Sequence, residues 1–206
     1  LYVATARISL VVAGFGMFLA GAAFFANSIS HVQERVDIWL DPFERGVVDE
    51  EGYQIAQGLF AQADGGLFGT GFGQAMITQP GGGPILPAPQ TDLIYAVITN
   101  ELGLAGACGL LLVYLMVAER GFKIAMLAQD SFSKLLAAGL TAVFALQVFV
   151  IVGGVTKLIP LTGVTLPFVS YGGSSILANF VLLALLLLVS DRARRPVGAM
   201  GRRGLR

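Results

Sequence analysis

The chain consists of long apolar runs separated by shorter polar segments. Runs with at most one charged side chain extend over residues 8–31, 93–118, 135–156 and 158–190. A bilayer core about 30 Å thick requires roughly 20 helical residues. Each of the first three runs therefore fits one membrane span, whereas the fourth is too long for one. We predict four membrane-spanning helices, at about residues 8–30, 93–118, 135–156 and 174–190.

The first half of the fourth run is interrupted by helix-breaking residues. It contains Pro160, Gly163, Pro167, Gly172 and Gly173. Proline and glycine at this density indicate non-helical chain, so residues 160–173 are expected to be irregular and to dip into the membrane. Non-helical backbone is tolerated at that depth only where protein or a water-filled cavity covers it.

A segment of about 60 residues, 31–92, separates the first two predicted spans and is too long to be a simple connection. Its first part, RVDIWLDPF, carries aromatic and proline residues suited to a membrane interface. The pattern at residues 53–62 predicts a short amphipathic helix. The stretches GGLFGTGFG and PGGGPILPAPQ that follow are typical of loops.

Charge is distributed unevenly between the two sides of the predicted spans. Lys and Arg are concentrated after Ser190, between the second and third spans, and at Arg7. Residues 31–92 carry nine acidic side chains and only Arg35 and Arg45 as basic ones. The positive-inside rule therefore predicts that both ends of the chain are cytoplasmic and that residues 31–92 form an extracytoplasmic loop.

Composition supports a membrane protein. Of 206 residues, 55% are hydrophobic and 13% are charged, whereas soluble domains contain nearer 25% charged residues. The formal net charge of zero argues against a nucleic-acid partner. The single cysteine, Cys108, excludes an intrachain disulfide and a cysteine-based zinc cluster. The expected fold is an all-α polytopic membrane protein, with residues 1–206 forming one membrane domain that continues a longer protein.

Three ionisable residues are candidates for chemistry. Asp92 directly precedes an apolar helix, so it is either a helix N-cap or a general base at the mouth of a cavity. Glu101 lies within a predicted span and is either functional or part of a buried polar network. On a continuous helix, Asp92 and Glu101 would face apart, which favours a single base over a carboxylate pair. Lys157 is either an interfacial anchor or a cation for an anionic substrate group.

Three segments together resemble one family. They are GYQIAQGLFAQADGGLFGTGFG, LPAPQTDLIYAVITNELGLAG and IPLTGVTLPFVSYGGSS. Their order and spacing are similar, over about residues 35–191, to the bacterial SEDS proteins (shape, elongation, division and sporulation), which include RodA and FtsW. The resemblance implies the last four helices of a ten-helix membrane fold. The sequences of the segments LPAPQTD and VGGVTKLIPLTG favour a RodA-like member of the family.

The resemblance also implies a function, that of a peptidoglycan glycosyltransferase which polymerises lipid II at the bacterial plasma membrane. Asp92 occupies the position of the family's essential carboxylate and would act as general base. The leaving diphosphate would require a cation, supplied by Lys157, Arg35, Arg45, the preceding helices, or a Mg²⁺ or Mn²⁺ ion. The expected partners are lipid II, a class B penicillin-binding protein and membrane lipids. No metal ligand is predicted, and the predicted substrate-binding residues are Gln54, Thr91, Glu101, Lys157, Thr162, Ser170, Tyr171 and Ser174.

The sequence departs from the family pattern beside the predicted base. Gln90 stands where the family usually has His, and Asn100 stands where it usually has the first Glu of a Glu-Glu pair. Two other functions are compatible with the sequence. One is a flippase or transporter of lipid-linked precursors, and the other is a non-catalytic scaffold that activates a penicillin-binding protein.

Overall fold

A computed structural model describes residues 8–44, 52–75, 85–86 and 88–194. Within these ranges the chain forms α-helices joined by turns and irregular segments, without β-strands. The helices are α1 (Ile8–Ser28), α2 (Ser30–Leu40), α3 (Tyr53–Gly65), α4 (Ile94–Leu127), α5 (Ser131–Val155) and α6 (Gly173–Arg194). The all-helical class predicted from the sequence is therefore confirmed.

Three of these helices are long and apolar enough to cross a membrane, namely α4, α5 and α6. Helices α1 and α2 meet at a bend of 98° and provide a fourth candidate span if they are counted together. Helix α4 continues to Leu127 and α6 to Arg194, beyond the predicted span ends at residues 118 and 190. The helices thus continue into the polar sequence that flanks each apolar run.

The segment between α1 and α4 contains more helix than the sequence pattern indicated. Helix α3 covers the predicted residues 53–62 and extends to Gly65. The stretch RVDIWLDPF, interpreted only as an interfacial anchor, lies largely within α2. Helix α2 ends at Leu40, where the Asp41 N–H still donates to Asp37 O, and Pro42 follows because it cannot continue a helix.

Helix α4 is broken at Gly103, whereas the sequence was interpreted as one continuous helix. Gly103 has φ 69° and ψ −173°, a backbone conformation that is essentially restricted to glycine. The break frees backbone groups on both sides, and the glycine loop after α3 (residues 66–75) pairs with them. The four hydrogen bonds, of 2.9–3.1 Å, run from the N–H groups of Thr70, Gly71, Leu104 and Ala105 to the carbonyls of Asn100, Glu101, Gly66 and Leu67 respectively.

The close approach of these two backbones explains the glycine spacing of the loop. A Cβ at Gly69 would collide with the backbone of Glu101 and Gly103, and a Cβ at Gly103 would collide with Leu67 and Gly69. The G-x-G-x-G pattern at residues 69–73 is therefore explained by backbone packing against α4. Backbone groups of a broken membrane helix must be satisfied within the protein, and the glycine loop meets this requirement.

Residues 156–172, the irregular segment, connect α5 to α6 without helix, as the proline and glycine pattern predicted. Side chains of neighbouring helices satisfy its carbonyls. Tyr114 Oη donates to Pro167 O at 2.6 Å, and Gln147 Nε2 donates to Thr165 O at 2.9 Å. Gln147 lies eight residues before the end of α5, about 12 Å along the helix axis. The irregular segment therefore enters the bundle and does not cap it from outside.

The opposite end of the bundle is closed by the turn between α4 and α5. Asp130 caps α5, and its side chain accepts a hydrogen bond of 2.7 Å from Ser133 N–H. This bond stabilises the ionised form and lowers the pKa of the Asp130 carboxyl below its usual value. The cap and the irregular segment thus lie at opposite ends of α5.

Candidate functional site

A polar cleft of about 270 Å³ lies at the end of the bundle where α4 begins. Four parts of the chain form it: one face of α2, the start of α3, the turn before α4, and the irregular segment. Its described lining residues are His31, Glu34, Arg35, Ile38, Gln54, Ile55, Asp92, Leu161 and Gly163. Residues far apart in sequence therefore converge on Asp92.

Asp92 is not a helix N-cap. Helix α4 begins at Ile94, its N-cap residue is Leu93, and no side chain bonds to its first turn. Asp92 instead belongs to a turn in which the N–H groups of Thr91 and Leu93 donate to Ala88 O at 3.2 and 3.4 Å. The adjacent Leu93 is 1% exposed and anchors this turn in the core. Of the two interpretations of Asp92, the cap is wrong, and the half-buried carboxylate lines the cleft.

The turn that carries Asp92 is fixed to the irregular segment by Ser170. The Ser170 hydroxyl donates to Thr91 O and accepts from Leu166 N–H, both at 2.7 Å, and the residue is only 2% exposed. The Tyr171 N–H donates to Gln90 O at 2.8 Å, while Tyr171 itself is 75% exposed. Both residues were predicted to bind substrate, and the contacts shown here hold the backbone directly before Asp92.

Gly163 approaches the Asp92 carboxylate closely. A Cβ at this position would lie 3.4 Å from Asp92 Oδ2, and the residue has φ 68°. Residues other than glycine rarely adopt this backbone conformation. Gly163 therefore lets the main chain of the irregular segment form one wall of the cleft beside the carboxylate.

Helix α2 is bonded to the irregular segment along its length. Arg35 Nη1 donates to Leu161 O at 3.0 Å, and Trp39 Nε1 donates to Lys157 O at 3.0 Å. Lys157 Nζ in turn donates to Leu40 O at 3.3 Å and lies 6.0 Å from the centroid of the Phe43 ring. These bonds explain how a short helix at a 98° bend keeps its place over the cleft.

Lys157 therefore does not occupy the place expected of a substrate cation. It is absent from the described lining of the cleft, and its ammonium binds the end of α2. Among the described lining residues, Arg35 is the single Lys or Arg side chain. Arg45, the third basic candidate, lies outside the described residues, as do the arginines after Arg194.

The remaining predicted substrate-binding residues divide into two groups. Gln54 lines the cleft, Thr91 directly precedes Asp92, and Thr162 is exposed between two lining residues. Glu101 lies beside the break in α4, where its carbonyl accepts from the glycine loop, and it is not among the described lining residues. Ser174 is exposed in the first turn of α6 and is likewise not among them.

Sequence reasoning missed the contribution of α2. His31 lines the cleft with Glu34, and its Nδ1 lies 3.4 Å from Glu34 Oε2. Positions 31, 34, 35 and 38 share one helical face. This spacing would have identified the lining residues if residues 30–40 had been interpreted as helix.

A divalent cation was one expected source of positive charge in the site. Within the described ranges, no group of three or more His, Cys, Asp or Glu side chains is placed to hold a metal ion. No step below involves such an ion.

The spans, the re-entrant irregular segment and the polar cleft define an integral, polytopic helical membrane protein with a site at one end of its helices. The family model for the FtsW, RodA and SpoVE cell cycle proteins matches residues 1–195. The chain belongs to this family, as the SEDS resemblance predicted.

Individual relatives support a RodA-like assignment within the family. The peptidoglycan glycosyltransferase RodA of Mycobacterium tuberculosis (strain ATCC 25618 / H37Rv) is 50% identical over 196 residues, which cover 95% of this chain and 40% of that protein. The stage V sporulation protein E of Bacillus subtilis (strain 168) is 39% identical over 194 residues, covering 94% of this chain and 51% of that protein. The chain thus spans about 40% of the length of its RodA relatives.

A solved structure shares the fold. It is described as showing the structural coordination of polymerization and crosslinking by a peptidoglycan synthase complex. The match has a TM-score of 0.65 and 28% sequence identity, and it covers 91% of this chain and 50% of the solved chain. The arrangement of helices described above is therefore that of a known membrane fold.

Proposed function

We propose that the protein to which this chain belongs is a peptidoglycan glycosyltransferase that polymerises lipid II, with Asp92 as general base. The observation that carries the proposal is the position of the Asp92 carboxylate, which faces a polar cleft and has no capping role. Family membership and the RodA relatives, which are named peptidoglycan glycosyltransferases, support the reaction type.

The proposed reaction transfers a glycan from its diphosphate to a sugar hydroxyl. The oxygen of the acceptor's 4-hydroxyl attacks the anomeric carbon of the donor, and Asp92 takes the proton from that hydroxyl. The bond between the anomeric carbon and the phosphate oxygen breaks, and the diphosphate leaves with the electron pair. Because attack and departure occur on opposite faces of the carbon, the configuration inverts. A diphosphate is a stable anion, so the reaction requires no acid partner.

The geometry of the cleft suits a single-base reaction. Two walls of the cleft, the turn before α4 and the irregular segment, are joined by the Ser170 hydroxyl, so the carboxylate is held in a fixed position. Glu101, the other carboxylate considered, is not among the described lining residues, and Glu34, which is among them, lies 3.4 Å from His31 Nδ1. Gln54, from α3, supplies an uncharged amide to the same cleft, suited to hydrogen bonding with a sugar.

We further propose the orientation and the partner of the protein. The end that carries the cleft lies outside the cytoplasm, and the α4–α5 turn and the end of α6 lie inside. Basic residues at the end with the α4–α5 turn, including Lys134 and Arg192, support this orientation. A class B penicillin-binding protein is the proposed partner, supported by the fold match to a chain from a peptidoglycan synthase complex.

The test is polymerisation of lipid II by the purified full-length protein together with its class B penicillin-binding protein. Asp92→Asn should lower the rate by about 10²–10⁴-fold, because it removes the proton acceptor and preserves the size of the side chain. Thermal stability and partner binding should stay at the parental level, since Asp92 caps no helix.

Asp64→Asn is the matched control, because Asp64 is exposed on α3 and does not line the cleft. This variant should polymerise lipid II at the parental rate. Polymerisation by Asp92→Asn at the parental rate would contradict the assignment and favour a flippase.

A further inference from the structure

The glycine loop (residues 66–75) presents large apolar side chains at its surface. Leu67 is 58% exposed and Phe68 is 80% exposed. We propose that the turn of the glycine loop at Leu67 and Phe68 dips into the membrane leaflet at the cleft end of the bundle and contacts lipid acyl chains. This interaction surface is separate from the cleft and does not depend on the proposed function. The position of the turn along α4 and α5 and the exposed apolar surface of α4 beside it carry the inference.

Helix α3 runs alongside the first turns of α4 in the same direction. A Cβ at Gly58 would lie 3.4 Å from the Leu93 side chain, and a Cβ at Gly65 would collide with the backbone of Thr99 and Asn100. The C-terminal end of α3 therefore lies further along α4 than its middle does. Because α4 enters its apolar stretch in this direction, α3 points into the membrane span.

The glycine loop reaches its deepest point directly after α3 and then turns back. The Leu67 carbonyl accepts a hydrogen bond from Ala105 N–H at 3.1 Å, whereas Gly71 N–H donates to Glu101 O at 3.0 Å. The later loop residue thus pairs with the earlier helix residue, and the two levels on α4 differ by about 6 Å along the helix axis. Phe68 follows Leu67 on the deep side of the turn, and residue 72 lies on the returning side.

The apolar stretch of α4 indicates how deep this turn lies. Between Glu101 and Glu119 the helix carries no charged side chain, and residues 102–118 extend over roughly 25 Å at about 1.5 Å per residue. The hydrocarbon core of a bilayer is about 30 Å thick, so a span by this helix needs the whole stretch. Ala105, to which Leu67 is bonded, lies inside the stretch. The turn is therefore at the level of the acyl chains and not of the headgroups.

Helix α5 gives the same depth independently. Its uncharged stretch lies between Lys134 and Lys157. Gln62, in the last turn of α3, donates from Nε2 to Val155 O at 2.9 Å, at the cleft end of that stretch. Because α3 continues inward beyond Gln62, the turn that follows it lies on the membrane side of the boundary marked by Lys157.

The side chains around the turn are compatible with contact with lipid. Leu102 and Leu104, on either side of the break in α4, are exposed, so the helix and the loop expose apolar side chains at the same level. Asp64, near the end of α3, borders a different, polar cavity of about 120 Å³ together with Gln57 and Asn100. Its carboxylate therefore has polar neighbours away from the lipid. Placing the apolar side chains among acyl chains removes them from water, which stabilises the inserted turn.

The inserted turn holds α3 at a fixed height relative to the membrane. The other end of α3 carries Gln54, which lines the cleft. Contact with lipid at one end of α3 thereby helps to position the wall of the cleft at its other end.

The test measures depth in the full-length protein, after removal of Cys108 and any other native cysteine. Phe68→Cys, Phe72→Cys and Leu112→Cys are each labelled with a nitroxide and reconstituted into vesicles of phosphatidylcholine and phosphatidylglycerol. Electron paramagnetic resonance then measures collisions of the label with O₂, which concentrates among acyl chains, and with a nickel chelate, which stays in water. The ratio of the two collision rates should be several-fold higher at position 68 than at position 72, and close to the ratio at position 112.

The comparison sites are matched to the turn. Phe72 is the same type of residue in the same loop and is also highly exposed, whereas Leu112 is exposed in the middle of the apolar stretch of α4. If Phe68→Cys does not fold, Leu67→Cys replaces it, because both side chains lie at the turn.

Two results would overturn the inference. One is a ratio at the turn equal to that at position 72, which would place the turn in water. The other is a low collision rate with both reagents, which would mean that protein and not lipid covers the turn. Neither measurement involves polymerisation, so a failure of this inference is distinguishable from a failure of the proposed function.

Discussion

Ser170 is the residue on which the position of Asp92 depends most directly. Its hydroxyl bridges Leu166 N–H and Thr91 O in a buried setting, so it acts on the proposed catalytic carboxylate through the backbone. The sequence singled out both Asp92 and Ser170, because a carboxylate before a span and hydroxyl residues near a membrane are unusual. It could not assign their roles, since Asp92 lies only one residue before the N-cap residue, Leu93. It also missed Gly163, whose importance depends on a contact between residues 71 positions apart.

Ser170→Ala tests this positioning role. The substitution leaves two backbone groups without their partner, at a cost of about 1–3 kcal/mol each, so the midpoint of thermal unfolding should fall. The kcat of the folded protein for lipid II should fall by about 10- to 100-fold while KM changes little, because the base is displaced and substrate contacts remain. Ser131→Ala, at an exposed position at the start of α5, should alter neither quantity. A lower unfolding midpoint with unchanged kcat would show that Ser170 has a purely structural role.

At the scale of elements, the break in α4 and the glycine loop form one unit. The apolar pattern predicted the existence of α4, α5 and α6, because long runs without charge leave few alternatives to membrane helices. It did not reveal the break at Gly103, since one glycine in an apolar helix is common and hydropathy carries no information about φ and ψ. It also missed most of α2. The residues of α2 can be recognised as one helical face only when the cleft that they border is known. The available signal was the glycine spacing at residues 69–73, which the sequence analysis assigned only to a loop.

Gly103→Ala tests the break. Alanine at φ 69° and ψ −173° costs about 1–3 kcal/mol, and its Cβ would also collide with the backbone of Leu67 and Gly69. The free energy of unfolding of the purified protein should therefore fall by at least this amount. The loop should also detach from α4, which limited proteolysis between residues 66 and 75 would detect. Gly109→Ala, six residues further along the same helix with no heavy atom within 4 Å of the added methyl group, should leave both measurements unchanged. Equal stability of the two variants would mean that the break is not required.

At the scale of the whole molecule, the helices place the cleft and the α4–α5 turn at opposite ends of the bundle. Helix α4 begins two residues after Asp92 and ends next to the turn that Asp130 closes, and its 34 residues are enough to cross a bilayer. The cleft and this turn must then lie on different sides of the membrane. The sequence predicts which side is which from Lys and Arg alone, because basic residues near short loops are retained in the cytoplasm.

Cysteine labelling tests this orientation in the full-length protein, after removal of Cys108 and any other native cysteine. Phe72 is 85% exposed in the glycine loop at the cleft end, and Gln129 is exposed in the α4–α5 turn. In intact spheroplasts, a membrane-impermeant maleimide should label Phe72→Cys and should not label Gln129→Cys, whereas both should react after the membrane is permeabilised. The physical reason is the cost of moving the cluster of Arg120, Lys123 and Lys134 across the bilayer. The reverse labelling pattern would place the cleft in the cytoplasm. A glycan strand destined for the cell wall could not be released directly from there. This result would contradict the proposed polymerase and favour a transporter.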